Sequence, residues 1–141
     1  MWDLRYSRYA AETPAWPLVI EGHNFLLREW PKDERGGSTP NPSSEILYAA
    51  DRAGNVLGVL CWEKEELFGQ CVVKLLYIVP SHRRTGLGTQ LWKDMVRRAA
   101  EAGLRRLVGD LCASNKPALA FFEKHGVPLP SFRCMADLGR R

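Results

Sequence analysis

An apolar segment, Leu75 to Val79, stops at Pro80 and Ser81, crosses an Arg/Gly loop and re-enters helical periodicity at Gly86. A second apolar segment, Leu107 to Cys112, follows the helix. Strand, helix, strand in that order forces a parallel pair joined by a right-handed crossover. On the helix, expected from Gly86 to Ala102, Leu87, Leu91, Met95, Val96 and Ala99 share one face, and Gly103 suits its end.

The loop between strand and helix reads Arg83-Arg84-Thr85-Gly86-Leu87-Gly88-Thr89. The first turn of a helix leaves its N–H groups without partners at the positive end of the macrodipole, which together attract an anion. Gly86 and Gly88 carry no Cβ, so a diphosphate can approach the backbone. No G-x-x-x-x-G-K-[ST] occurs, and Leu91 stands where a dinucleotide loop needs its third glycine. The loop is therefore neither an ATP P-loop nor a Rossmann turn.

The remaining segments supply a meander. Trp2 to Tyr9 suits an edge strand. Trp16, Val19, Ile20, His23, Leu26, Leu27 and Trp30 recur at helical spacing between Pro14 and Pro31, so a helix is expected from about Ala15 to Trp30, with its tryptophans in the core. Pro31 to Glu45 is polar and rich in proline, glycine and serine, and reads as a surface loop. Ile46–Ala50 and Val56–Trp62 flank a turn at Asp51–Asn55, and an acidic loop, Glu63 to Gln70, leads into the strand Cys71–Val79. Ser114 or Asn115 caps a third helix with Pro117 in its first turn and Gly126 at its end. Ser131 to Leu138 is a last strand, and Val127-Pro128-Leu129-Pro130 leaves room for little more. The expected fold is α/β of the α+β kind, a mixed, mostly antiparallel sheet with one parallel strand pair joined by a helix.

At 141 residues, 45% hydrophobic and 26% charged, the chain is expected to form a single domain spanning residues 1–141. No apolar run approaches membrane-spanning length and the N-terminus lacks a secretory layout, so the cytoplasm is expected. Cys61, Cys71, Cys112 and Cys134 fall singly and read as buried free thiols. Three scattered histidines offer no ligand spacing, and no metal is expected. The net charge of +4 comes with arginine pairs dispersed along the chain, which form no single nucleic-acid stripe.

The strand "LYIVP", the loop "RRTGLG" and, after the second strand, "NKPALAFFEKHG" together resemble the GNAT superfamily of acyl-CoA-dependent N-acyltransferases, over about Val56 to Val127. The resemblance implies that Arg83, Arg84, Thr85, Gly86, Leu87, Gly88 and Thr89 hold the coenzyme A pyrophosphate. It assigns the pantetheine to the backbone of Ile78 and Val79, and adds Asn115 and Phe122 to the cofactor set. It also implies that the two parallel strands splay apart to admit the pantetheine. The chain departs from many relatives in having one helix rather than two between its first two strands.

Acetyl transfer from a thioester to an amine needs a neutral amine, a donor for the developing oxyanion and release of the thiol. The resemblance places the oxyanion donor at an N–H near Ile78. Many relatives carry a tyrosine where this chain has Phe122, and some carry a glutamate base where it has Val72. Glu63 is the candidate base, although a Glu63/Glu65/Glu66 cluster ordinarily belongs to a solvated turn. Ser114, Tyr77 or water is left to protonate the thiolate. The expected function is transfer of an acetyl group from acetyl-CoA to a small-molecule or peptide amine; the alternative is a non-catalytic acyl-CoA-binding module. Aminoglycosides, an aminoacyl-tRNA and a homodimer stay open, nucleic acid is otherwise not expected, and neither is a membrane partner.

Overall fold

A computed structural model describes residues 2–29, 41–110, 124, 127–128 and 133–137. Strands β1 (Asp3–Ser7), β2 (Glu45–Ala50), β3 (Val56–Glu65), β4 (Gln70–Ile78), β5 (Arg106–Asp110), β6 (Val127–Pro128) and β7 (Arg133–Asp137) form one sheet, in the order β1-β2-β3-β4-β5-β7-β6. Every pairing is antiparallel except β4 with β5, whose connection is helix α2 (Leu87–Glu101). Helix α1 (Trp16–Glu29) lies between β1 and β2 in the chain. The expected mixed sheet with one parallel pair is thus observed.

Alternation along β2 to β4 sends apolar side chains to both faces. On one face Leu47, Leu60, Trp62 and Val73 pack under Leu87, Leu91, Trp92, Met95 and Ala99 of α2. On the other, Ile46, Tyr48, Val59, Cys61, Leu75 and Tyr77 pack under Leu18 and Val19 of α1, with Trp16 partly buried against them. Trp30 lies outside the described residues. A glycine lets each helix settle. An added Cβ at Gly58 would stand 2.7 Å from Ile78 Cδ1 and 3.3 Å from the leucine tips of Leu87 and Leu91, while one at Gly22 would stand 2.9 Å from Tyr77 Cβ. Helix α2 ends as expected: Gly103 has φ +82°, and Leu104 N–H reaches back to Ala99 O at 3.1 Å.

Two boundaries differ from expectation. The hairpin after Trp62 is longer in strand and shorter in loop, because Glu63, Lys64 and Glu65 pair with Val72, Cys71 and Gln70. Only Glu66–Phe68, a 3₁₀ turn, and Gly69 at φ +63° connect the strands. Near the C-terminus, Val127–Pro128 forms a short strand on β7, where one final strand was expected. Of the expected third helix only Lys124 is described, and it is helical. No helix among the described residues is long and apolar enough to cross a membrane.

A polar group sits beneath the sheet on the α2 side. Tyr6 Oη donates to Glu45, Lys64 Nζ lies 3.7 Å from the same carboxylate, and Arg98 stacks 4.5 Å from the Tyr6 ring centre. Burial, then the Glu45 contact, pushes the Tyr6 phenol up to about 12.

The Gly22→Ala variant should lose about 1–3 kcal/mol by urea denaturation despite alanine's better helix propensity, because Tyr77 Cβ is fixed to its strand and cannot swing aside. Tyr6 contributes stability that is complete below pH 10 and drains away as pH rises towards 12, since the folded phenol holds its proton longer than the unfolded one. The stability gap between wild type and Tyr6→Phe should therefore be flat from pH 7 to 9 and shrink above pH 10.

Candidate active site

Strand β4 is paired on both sides only over its first half. It matches β5 from Gln70↔Arg106 to Val73↔Gly109, and there the parallel ladder stops. Asp110 continues β5 yet no longer meets Lys74, and Leu75 to Ile78 pair only with β3 among the described residues. The same point carries a β-bulge: Cys61 faces Leu75 and Trp62 faces Val73, leaving Lys74 as the extra residue of β4. The bulge and the end of the parallel ladder coincide, at the point from which the resemblance implies that the two strands splay.

The exposed backbone edge follows from antiparallel alternation. Val79 N–H donates to Leu57 O at 2.9 Å, which makes Leu57 and Val79 a bonded pair and Gly58↔Ile78 a non-bonded one. The N–H and C=O of Ile78, and of Leu76 two residues earlier, therefore face away from β3, where no described strand pairs with them. Of the two residues expected to bind pantetheine, Ile78 presents its N–H there, whereas the Val79 N–H is spent on β3. The Ile78 carbonyl already accepts Arg83 Nε at 3.0 Å.

Beyond Val79 the chain makes one 3₁₀ turn, Pro80–His82, closed by His82 N–H to Val79 O at 3.0 Å. Thr85 Oγ1 donates back to His82 O at 2.6 Å. Arg84 and Gly86 both adopt left-handed backbone, φ +63° and +88°, and α2 begins at Leu87. The first helical bond runs from Gln90 N–H to Gly86 O at 3.1 Å. None of the N–H groups from Arg84 to Thr89 donates to a backbone or side-chain acceptor among the described residues. Leu87 is fully buried and pins the turn to the core, so its contribution is its N–H. No acidic residue stands in the first turn of α2. Loop, helix dipole and donors without an acceptor among the described residues thus lie together at the end of strand β4, an arrangement that suits an anion.

The two arginines diverge. Arg83 turns back across the strand end, its guanidinium carbon 5.5 Å from the ring centres of both Phe25 and Tyr77. Arg84 is exposed beside the free N–H groups. Tyr77 Oη donates to Glu21 Oε2 at 3.0 Å, and burial followed by that bond raises the phenol's pKa. This cluster of Glu21, Phe25, Tyr77 and Arg83 was not foreseen; its members lie on α1, β4 and the loop, with no local spacing to link them.

Glu63 is on strand β3 and not in a solvated turn. It is half-buried, and its Oε2 accepts Asn41 Nδ2 at 3.0 Å and Ser44 Oγ at 3.2 Å. Its cross-strand partner is Val72. Directly opposed side chains have Cβ atoms about 5 Å apart, so a carboxylate from β3 reaches the neighbourhood of the residue where some relatives were expected to carry one on β4. Burial pushes the Cys61 and Cys71 thiols up to about 12, which leaves neither as a nucleophilic thiolate at neutral pH. The described residues contain no cluster fit to hold a metal ion. Ser114, Asn115 and Phe122 lie outside the described residues.

Comparison with known proteins agrees with this geometry. The profile of the Acetyltransferase (GNAT) family matches residues 7–127. YwnH of Bacillus subtilis strain 168, named a putative phosphinothricin acetyltransferase, is 31% identical over 100 residues, covering 68% of this chain and 61% of that protein. The L-methionine sulfoximine/L-methionine sulfone acetyltransferase of Pseudomonas aeruginosa is 32% identical over 84 residues, 57% of this chain and 49% of that enzyme. The matched part thus spans 49–61% of the length of these relatives. Tetrahymena GCN5 superposes with a TM-score of 0.70 at 15% identity, over 96% of both chains, which bears on the fold alone. With the profile covering most of its length and strand β4 of the parallel β4–β5 pair leading into the Arg/Gly loop, the chain belongs to the GNAT family of acetyltransferases.

Proposed function

We propose that the protein transfers an acetyl group from acetyl-CoA to the amine of a small molecule. The observation that carries this reading is the continuity of a strand edge, Leu76 to Ile78, that pairs only with β3 among the described residues, with the N–H groups of Arg84 to Thr89, which have no acceptor among those residues. A long acyl carrier with a diphosphate at one end and amide groups along its arm matches that sequence of donors and acceptors. Bound there, acetyl-CoA supplies an acetyl group activated as a thioester. The Arg84–Thr89 amides and the Arg84 charge hold the diphosphate, and the outward N–H of Ile78 takes an arm carbonyl. Asn115 and Phe122 belong to the same proposed set by resemblance only.

Glu63 is the carboxylate we assign to the incoming amine. From β3 it attracts the ammonium and accepts its proton, while Asn41 and Ser44 fix one oxygen. For the acceptor, the Pseudomonas relative is named for derivatives of L-methionine, which carry an amine beside a carboxylate. Small α-amino acids are accordingly the first acceptor class to test.

Acetyl-CoA at a hundred times its Kd should add about 2.7 kcal/mol of stability, read as a rise in melting temperature. Gly88→Val, which leaves backbone geometry helical, should abolish most of that rise while changing the ligand-free melting temperature little; an undiminished rise would remove the loop from the site. Glu63→Gln keeps an acceptor for Asn41 and Ser44 but cannot take a proton. It should lower kcat/KM by about 10²-fold against the best amine in a panel, with unchanged coenzyme A affinity. If no amine accelerates thiol release from acetyl-CoA although coenzyme A binds, the protein is the non-catalytic acyl-CoA-binding module instead.

A further inference from the structure

Arg83 opens the R-x-x-G-x-G run, and the resemblance gives it to the phosphates. Its guanidinium is committed elsewhere. Nε donates to Ile78 O at 3.0 Å, at the end of the open strand, and the planar group lies 5.5 Å from the rings of Phe25 on α1 and Tyr77 on β4. Those rings lie 5.8 Å apart and tilted, so one guanidinium covers both. Tyr77 is fixed in turn by its bond to Glu21, one turn earlier on α1.

We propose that Arg83 is a positioning residue, a latch that holds the diphosphate loop against α1, and that the anion itself is taken by the Arg84–Thr89 amides with Arg84 supplying the charge. This rests on the reading of the loop as a diphosphate site and deepens it. The need for a latch is physical. Residues 84 and 86 are both left-handed, and among the described residues the loop's own hydrogen bonds are His82–Val79, Ser81–His82 and Thr85–His82 with the weak Arg83 N–H to Pro80 O contact at 3.4 Å, none of which reaches the backbone N–H groups of residues 84–86. A run of N–H groups binds an anion well only when their directions are fixed beforehand. Arginine suits the task because its flat, delocalised head stacks on rings while Nε serves a carbonyl, and lysine offers a point charge without the plane.

The test compares Arg83→Met, Arg83→Lys, Phe25→Leu and Arg84→Gln by calorimetric titration with coenzyme A, and by ¹H–¹⁵N nuclear Overhauser effects of the Arg84–Gly88 amides in ligand-free protein. Arg83→Met and Arg83→Lys should weaken binding alike, by about tenfold, and Phe25→Leu in the same direction without adding to Arg83→Met. All three should lower the loop Overhauser effects. Arg84→Gln should weaken binding most at low salt and leave the loop effects unchanged. Full affinity in Arg83→Lys with loss in Arg83→Met would make Arg83 a phosphate ligand and overturn the latch. Unaltered loop effects in Arg83→Met would overturn it as well. That arm needs no coenzyme, so a wild-type protein that fails to bind coenzyme A sinks the diphosphate reading alone, and the latch is still judged by the loop.

Discussion

Among the described residues the second half of strand β4 has no neighbour on the β5 side, and the rest of the site depends on that. Strand N–H and C=O groups are costly to leave unpaired inside a protein, and sheets ordinarily cover or close their edges. Here the ladder of β5 on β4 runs as far as Val73 and Gly109 and stops there, at the residue where Lys74 bulges out of register with β3. The edge left without a partner among the described residues lies in the interior of the sheet, between β3 and β5, not at its rim. An interior edge offers a narrow, directional set of donors and acceptors that suits an extended chain of amides and excludes bulkier partners.

The helices on the two faces converge on the end of that strand. Gly58 admits Leu87 and Leu91 beside Ile78 from the α2 side, and Gly22 brings α1 against Tyr77 from the other. The turn from Pro80 to Gly86 thus leaves the sheet between two packed surfaces. Its first helical residue is buried in one of them, and Arg83 reaches towards the other. A glycine loop at a helix start is common; a loop clamped at both ends can keep six N–H groups aimed without their bonding to one another.

Where local periodicity was strong, the sequence was legible. The face of α2, its glycine stop, β4 and the order strand, loop, helix, strand all follow from residues within one or two turns of each other. Glu63 to Glu65 misled because three alternating charged residues resemble a turn. They are strand because both flanks of the hairpin extend past the core, and because Asn41 and Ser44, distant in the chain, satisfy the carboxylate of Glu63. The two-residue β6 contains a proline and carries no alternation to read. The stack of Arg83 on Phe25 and Tyr77 was equally hidden, since it joins three elements whose distances in space no spacing rule encodes. By its place in the loop, Arg83 looked like a phosphate ligand.

The register of β3 on β4 bears on the chemistry as well. With valine at position 72 the chain lacks a carboxylate at that place on β4, yet the residue directly across the ladder is a glutamate. Exchanging a charge between opposed positions of neighbouring strands moves it by about 5 Å, comparable with the reach of a glutamate side chain. Such a shift alters the angle from which a proton is taken without emptying the site of negative charge. With the Cys61 and Cys71 thiols pushed up to about 12, neither can take an acetyl group as a thiolate at neutral pH. The chemistry we assign to the described residues is then direct transfer, in which the protein's work is to orient a thioester along β4 and to deliver an amine past Glu63.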